Sequence, residues 1–111
     1  MKPMFARIAG ATALVVGLGA CTPEWYIDTL FGPQAGEARS VAWCESTMNP
    51  AAVSPGGGNH GLFQINNVHR TSFERVTGQS WSMRYDSFWN TLFAKWLYDQ
   101  SGGWRPWTCQ P

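Results

Sequence analysis

The chain is poor in charged side chains, and those it has are not clustered. Its 111 residues include 8 Lys or Arg and 7 Asp or Glu, so the net charge is near zero. Because a nucleic-acid-binding protein presents a concentrated basic face, this composition argues against DNA or RNA as a partner. The sequence also lacks internal repeats and long low-complexity tracts, and its length is enough for one domain but not two. We expect a monomer.

Histidine and cysteine are scarce, with two and three residues. His60 and His69 are too few for a metal site if the cysteines serve another purpose, so we expect no metal and no cofactor. Aromatic residues are abundant, with seven Trp, six Phe and three Tyr. A small domain buries only part of its surface, so most of these large side chains are expected to fill the core.

The N-terminal segment differs from the rest of the sequence. Lys2 and Arg7 form a basic start, and residues 8–20 are an uncharged run rich in Ala, Val, Leu and Gly. This run is too short to span a bilayer comfortably, and its end is crowded with small residues. The pattern is typical of a secretory signal, so we expect residues 1–20 to be removed on export.

The end of this segment, residues 18–21 (LGAC), resembles the lipobox of bacterial lipoproteins. In that family the cysteine receives a diacylglyceryl group and becomes the new N-terminus. Ordinary signal cleavage prefers a small residue three positions before the cut, and Leu18 is not small. The resemblance implies lipidation of Cys21 and a membrane-anchored lipoprotein on the envelope side, with plain secretion as the alternative. The two remaining cysteines of an exported chain, Cys44 and Cys109, are then expected to form a disulfide.

The exported part divides into an expected tether over residues 21–33 and a domain over residues 34–111. A helix is predicted from about Gln34 to Thr47 or Met48, because four residues at helical spacing share one face: Ala38, Val41, Ala42 and Glu45. Residues 49–60 are predicted to be a loop that can fold back as a small hairpin at the Pro-Gly-Gly-Gly tip. Residues 61–66 are predicted to form a short helix or turn.

Two further helices are predicted in the second half of the chain. Residues 71–76 form a short candidate stopped by Gly78. Asp86 is a good N-cap for a longer helix with a broad apolar stripe, which the glycine pair at 102–103 ends. The expected fold class is therefore mainly α, in an α+β arrangement with a short β-hairpin or loop region beside the first helix.

Glu45 is the candidate catalytic residue. It lies on the apolar face of its helix, where burial of a charge costs free energy unless the charge is paired or has a function. Burial and the partial negative charge of the helix C-terminus both favour the protonated acid. Such an acid is what cleavage of a glycosidic bond requires, because the leaving oxygen must be protonated. By periodicity alone, however, a glutamate at a helix end is more often a solvated or paired residue.

Two segments resemble the lysozyme superfamily, residues 43–50 (WCESTMNP) and 61–66 (GLFQIN), and they are followed by a tail at residues 102–109 (GGWRPWTC). The tail and the FGP at 31–33 are most similar to small bacterial transglycosylase SLT domain proteins. The resemblance covers about residues 31–111 and implies a lysozyme-like fold. It also implies cleavage of peptidoglycan glycan strands between MurNAc and GlcNAc, with Glu45 as the catalytic acid. The alternatives are a hydrolytic muramidase and a domain that binds peptidoglycan without cutting it.

The same resemblance implies further site residues. In the family, the segment that contains Phe63 and Gln64 packs beside the catalytic Glu and lines the sugar groove. Ser46 follows Glu45 and stabilises either the helix end or the acid, and Tyr98 corresponds to a tyrosine that related enzymes carry late in the domain. For Gln64, the other role is to pin the loop backbone. Two residues of the tail can either stack on sugars or form a hydrophobic clasp around the disulfide: Trp104 and Trp107.

Asn59 departs from the animal-type lysozymes, in which an Asp stands two residues before the Gly of this segment. We place Asn59 among the substrate-binding residues, but an amide cannot act as a nucleophile or carry the negative charge of a second catalytic carboxylate. The other acids after Glu45 are in unsuitable places: Glu74, Asp86 and Asp99. The two-carboxylate scheme is thus disfavoured. Lytic transglycosylases work with one Glu, and this is the mechanism we expect.

Overall fold

The computed structural model describes residues 22–111. The expected signal segment and the expected lipidation site at Cys21 lie outside the described residues. Helix α1 (Pro23–Phe31) begins at once, because the Thr22 side chain caps it by accepting from the Trp25 amide at 3.2 Å. The helix ends at Gly32, whose φ of 55° suits glycine.

Helix α1 corrects the tether expected over residues 21–33. Ile27 and Phe31 are four residues apart on one helical face, and both are buried in the core. Phe31 stacks on Trp104 with ring centroids 5.3 Å apart. Because this burial ties residues 22–33 to the rest of the chain, they are part of the domain.

Helix α2 (Ala35–Ser46) follows a single 3₁₀ turn at Gly32–Gln34 and agrees with the predicted helix. Its buried face contains Ala38, Val41 and Ala42. The helix ends in an unusual way, since Thr47 (φ 55°) and Met48 (φ 62°) are both left-handed without being glycine. Such strain concentrates at functional sites, and here it begins two residues after the candidate acid, Glu45.

The hairpin region lies beside the end of α2. Strand β1 (Asn59–His60) pairs antiparallel with β2 (Ile65–Asn66), and an isolated bridge joins Val53 to His60. The loop at 54–58 therefore folds back, in agreement with the small hairpin predicted for residues 49–60. The segment over residues 61–66 is a turn followed by a strand, and not a helix.

The last two α-helices agree closely with the predicted ones. Helix α3 (Arg70–Thr77) ends at Gly78 with φ of 71°. After a 3₁₀ helix at Trp81–Tyr85, helix α4 (Ser87–Ser101) is capped by Asp86, which accepts from the Trp89 amide at 3.1 Å. It ends at Gly102 in the left-handed conformation. Within residues 22–111, no helix is long and apolar enough to cross a membrane.

A fully buried asparagine joins α4 to the hairpin. The Asn90 Oδ1 accepts from the Phe63 amide at 2.9 Å, and its Nδ2 donates to the carbonyls of His60 at 3.0 Å and Arg84 at 2.8 Å. The chain approaches Asn90 so closely that a Cβ at Gly61 would lie 2.3 Å from its Nδ2. These three hydrogen bonds fix the turn at residues 61–64, which includes the candidate site residue Gln64. Over residues 22–111 the protein is mostly helical with one small antiparallel sheet, which confirms the expected fold class.

Candidate active site

Glu45 lies in the last turn of α2 and is half-buried. Its Oε2 accepts a hydrogen bond from the backbone N–H of Cys109 at 3.1 Å. Cys109 is covalently joined to Cys44, with their Cα atoms 6.0 Å apart, so the predicted disulfide is confirmed. The candidate acid therefore lies where the first long helix and the C-terminal tail, residues 102–111, meet.

Two clefts flank Glu45, with volumes of about 360 Å³ and 790 Å³. Four residues line both of them: Glu45, Asn59, Gln64 and Thr108. The smaller cleft continues past His69 and Pro106, and the larger one past Thr47 and Ser54. Because they share these four lining residues, the two clefts adjoin at Glu45, and together they make up the candidate groove.

The two amide side chains at the middle of the groove are held in place. Asn59 Oδ1 accepts from Asn66 Nδ2 at 2.8 Å, across the pair that β1 and β2 form. Gln64 has a φ of 51°, and its Nε2 donates to the carbonyls of Ala52 at 3.2 Å and Gly61 at 3.1 Å. Gln64 thus pins the loop backbone and also lines both clefts.

Glu45 is the single carboxylate among the residues of the described chain that line either cleft, and no Lys or Arg lines them. The acids that follow it in sequence have other partners. Glu74 accepts from the Trp81 amide at 2.9 Å, Asp86 caps α4, and Asp99 pairs with Lys95 at 2.7 Å. Across residues 22–111, no three His, Cys, Asp or Glu side chains come together as metal ligands would.

Comparison with known proteins identifies this architecture. Residues 30–109 match a family described as the lysozyme-like domain. The chain belongs to this family. No curated protein and no solved structure matches it. The match confirms the lysozyme-like, SLT-type resemblance and supports a glycosidase-type enzyme that acts on peptidoglycan.

In this lysozyme-like domain, two expected site residues lie outside the groove. Phe63 is fully buried and packs against Phe31, with ring centroids 5.6 Å apart. Tyr98 packs against Phe31 and Trp104 at 5.9 Å and 4.7 Å. Neither lines either cleft. The structure corrects both assignments, because both rings pack in an aromatic cluster that contains Phe31 and Trp104.

Ser46 is nearly buried and serves the end of α2. Its hydroxyl donates to the Ala42 carbonyl at 3.0 Å and accepts from the Asn49 amide at 3.2 Å. It lines the wall of the larger cleft, but both hydrogen bonds hold the chain where it leaves the helix. Of the two roles considered, the structure favours stabilisation of the helix end.

The two tryptophans of the tail are core residues. Trp104 and Trp107 are each 6% exposed, too little for a sugar ring to stack on their faces. Their indole N–H groups donate to Glu37 Oε1 at 2.8 Å and to the Phe63 carbonyl at 2.9 Å. The edge of Trp107 reaches the smaller cleft. Packing is therefore their main role, and it fixes the tail against the hairpin turn.

The groove also contains residues that the sequence did not single out, chiefly His69 and Thr108. His69 lines the smaller cleft with Glu45, and burial against Phe93 lowers the pKa of its imidazole. It is then neutral near neutral pH. Thr108 lies within the tail motif at residues 102–109, so the family resemblance of that motif could have identified it. No local pattern marks His69, because the 3₁₀ turn after β2 places it.

Proposed function

We propose that this domain cleaves peptidoglycan glycan strands between MurNAc and GlcNAc by a lytic transglycosylase mechanism, with Glu45 as the single catalytic carboxyl. The observation that carries the proposal is the position of Glu45 at the middle of the groove, with no second acid among the described lining residues. Glycosidases that form a glycosyl-enzyme, or that activate water opposite an acid, need a second carboxylate across the scissile bond.

The proposed reaction uses Glu45 twice. As an acid it protonates the leaving glycosidic oxygen, and the C1–O bond breaks. The substrate's own 2-acetamido group meets the positive charge that develops at C1, as in other substrate-assisted families. Glu45, now a carboxylate, takes the proton of the muramic acid C6 hydroxyl, and O6 bonds to C1. The products are a 1,6-anhydromuramic end and a free GlcNAc end, with the acid restored.

A hydrolytic muramidase is the second candidate, and one observation favours it. Glu45 is half-exposed and the groove is open, so water can reach the carboxylate. The same base would then activate water in place of the C6 hydroxyl, and the product would carry an ordinary reducing end. The two reactions share every residue named above and differ only in the nucleophile.

The composition of the products tests the mechanism. Digestion of purified cell walls by the wild-type protein is expected to release anhydromuropeptides, each lighter by one water than its hydrolytic counterpart. Mass spectrometry of the soluble fragments measures this directly. The Glu45→Gln protein under the same conditions is the control for fragments already present in the walls. Reducing ends throughout, with no anhydro species, would make the protein a muramidase.

We also propose that Cys21 carries lipid and that the protein is anchored at the membrane. Helix α1 begins at Pro23, so one residue separates its start from Cys21. Two residues extend at most about 7 Å, which would hold the domain directly against the bilayer. Cys21→Ala is expected to move the protein from the membrane fraction to the soluble fraction, as measured by fractionation after labelling with a radioactive fatty acid. A wild-type protein that is free of label and soluble would indicate plain secretion.

A further inference from the structure

Cys109 is linked to Glu45 directly by a hydrogen bond and indirectly through the disulfide to Cys44. Its backbone N–H donates to Glu45 Oε2 at 3.1 Å, across 64 residues of sequence. Its sulfur is bonded to Cys44, which directly precedes Glu45. The candidate acid is therefore attached to the tail by one covalent link through its neighbour and one hydrogen bond through its own carboxyl.

The tail that presents this N–H is fixed at several points. Trp107 Nε1 donates to the Phe63 carbonyl at 2.9 Å, and Trp104 Nε1 donates to Glu37 Oε1 at 2.8 Å. Gln110 Nε2 donates to the carbonyls of both tryptophans, at 3.0 Å and 2.8 Å. These bonds leave the Cys109 N–H little freedom. Thr108, one residue earlier, lines both clefts, so the tail is also a wall of the groove.

We propose that the Cys109 N–H is a positioning group that keeps the transferable proton of Glu45 on Oε1. In a carboxylic acid one oxygen carries the hydrogen, and the other, the carbonyl oxygen, is the stronger hydrogen-bond acceptor, so an N–H that donates to Oε2 favours Oε2 as the carbonyl oxygen. With Oε2 occupied by this bond, the protonated acid presents its O–H from Oε1. The bond persists when Oε1 has released its proton, so nothing has to rearrange between the acid step and the base step.

The inference rests on the proposed function and makes the disulfide part of the catalytic machinery. The bridge holds the residue whose amide orients the acid. Reduction would leave the tail attached by its tryptophans but would free the Cys109 backbone next to Glu45. We therefore expect the reduced protein to cleave glycan strands more slowly than the oxidised protein.

The decisive variant removes the N–H and keeps the bridge. Ligation of residues 1–43 to a synthetic Cys44–Pro111 segment gives the complete chain with an ester in place of the amide between Thr108 and Cys109. We expect kcat on peptidoglycan to fall about tenfold with KM unchanged, the size of effect that one hydrogen bond of this kind supplies. On an aryl glycoside whose leaving group needs no proton, the rate should stay within about twofold. An ester between Cys109 and Gln110 is the matched control and should match the parent on both substrates.

A second readout does not depend on activity. The synthetic segment allows a single ¹³C label in the Glu45 carboxyl. In the acid form, loss of the Cys109 hydrogen bond is expected to raise its infrared C=O frequency, whereas the control ester leaves it unchanged. Inactive wild-type protein would refute the proposed function. An unshifted C=O band, or a kcat equal to the parent's, would refute the positioning role alone.

The double variant Cys44→Ser/Cys109→Ser tests the bridge. It keeps the N–H but releases the tail, and its fold is checked by near-UV circular dichroism at the assay temperature. We expect the same selective loss of kcat, and wild-type protein reduced under the same conditions should behave like it. A folded double variant with parental kcat would show that the bridge does not position the acid.

Discussion

Replacement of Glu45 by Gln is expected to remove nearly all cleavage of peptidoglycan while the fold is kept. An amide cannot donate a proton to the leaving oxygen, and general acid catalysis is typically worth about 10²–10⁴-fold. The fold should survive because Glu45 is half-buried and a Gln Oε1 can still accept from the Cys109 amide. A zymogram with peptidoglycan in the gel, followed by a rate assay on cell walls, measures the loss.

Asp99→Asn is the matched control for this prediction. It removes the same charge from an exposed position on α4, where Asp99 pairs with Lys95 and lines neither cleft. Its activity should equal that of the parent. A Glu45→Gln protein that clears walls at the parental rate would end the assignment of Glu45. If the wild-type protein binds walls and never cuts them, the domain is a peptidoglycan-binding module.

Replacement of Asn90 by Leu is expected to lower the free energy of unfolding by roughly 3–5 kcal/mol, since each buried group left without a partner costs about 1–3 kcal/mol. Three groups lose their hydrogen bond to Asn90: the Phe63 amide and the carbonyls of His60 and Arg84. Leu has the same branched shape and number of side-chain heavy atoms as Asn, but its methyl groups are larger, so overpacking against the Gly61 turn adds to the loss. Urea denaturation followed by circular dichroism measures the change.

Thr91→Val is the matched control for Asn90. Thr91 is the next residue of α4 and is also fully buried, but its Oγ1 has no hydrogen-bond partner in the described structure. Val removes an unsatisfied hydroxyl, so the free energy of unfolding should stay the same or rise. An Asn90→Leu protein within 1 kcal/mol of the parent would mean that water or local rearrangement satisfies the three groups.

Much of the fold was predictable because its signals are local. The face that Ala38, Val41 and Ala42 share, the Asp86 cap and the glycines after α3 and α4 determine backbone geometry within a few residues of themselves. Helix α1 was missed for the opposite reason. Its two core residues, Ile27 and Phe31, lie in a short segment between prolines, and only contact with Trp104 and the neighbouring helices shows that the segment is packed.

The candidate site divides in the same way. The sequence by itself determined the lysozyme-like family, the position of Glu45 at a helix end, the absence of an acid at Asn59, and the pairing of Cys44 with Cys109. These depend on residue identity, spacing and cysteine number. Only the tertiary structure decided that Phe63 is a core residue and Tyr98 packs against the core, that His69 lines the groove, and that the Cys109 amide contacts Glu45. Sequence spacing specifies which side chains share a face, whereas the neighbour that covers this face comes from distant parts of the chain.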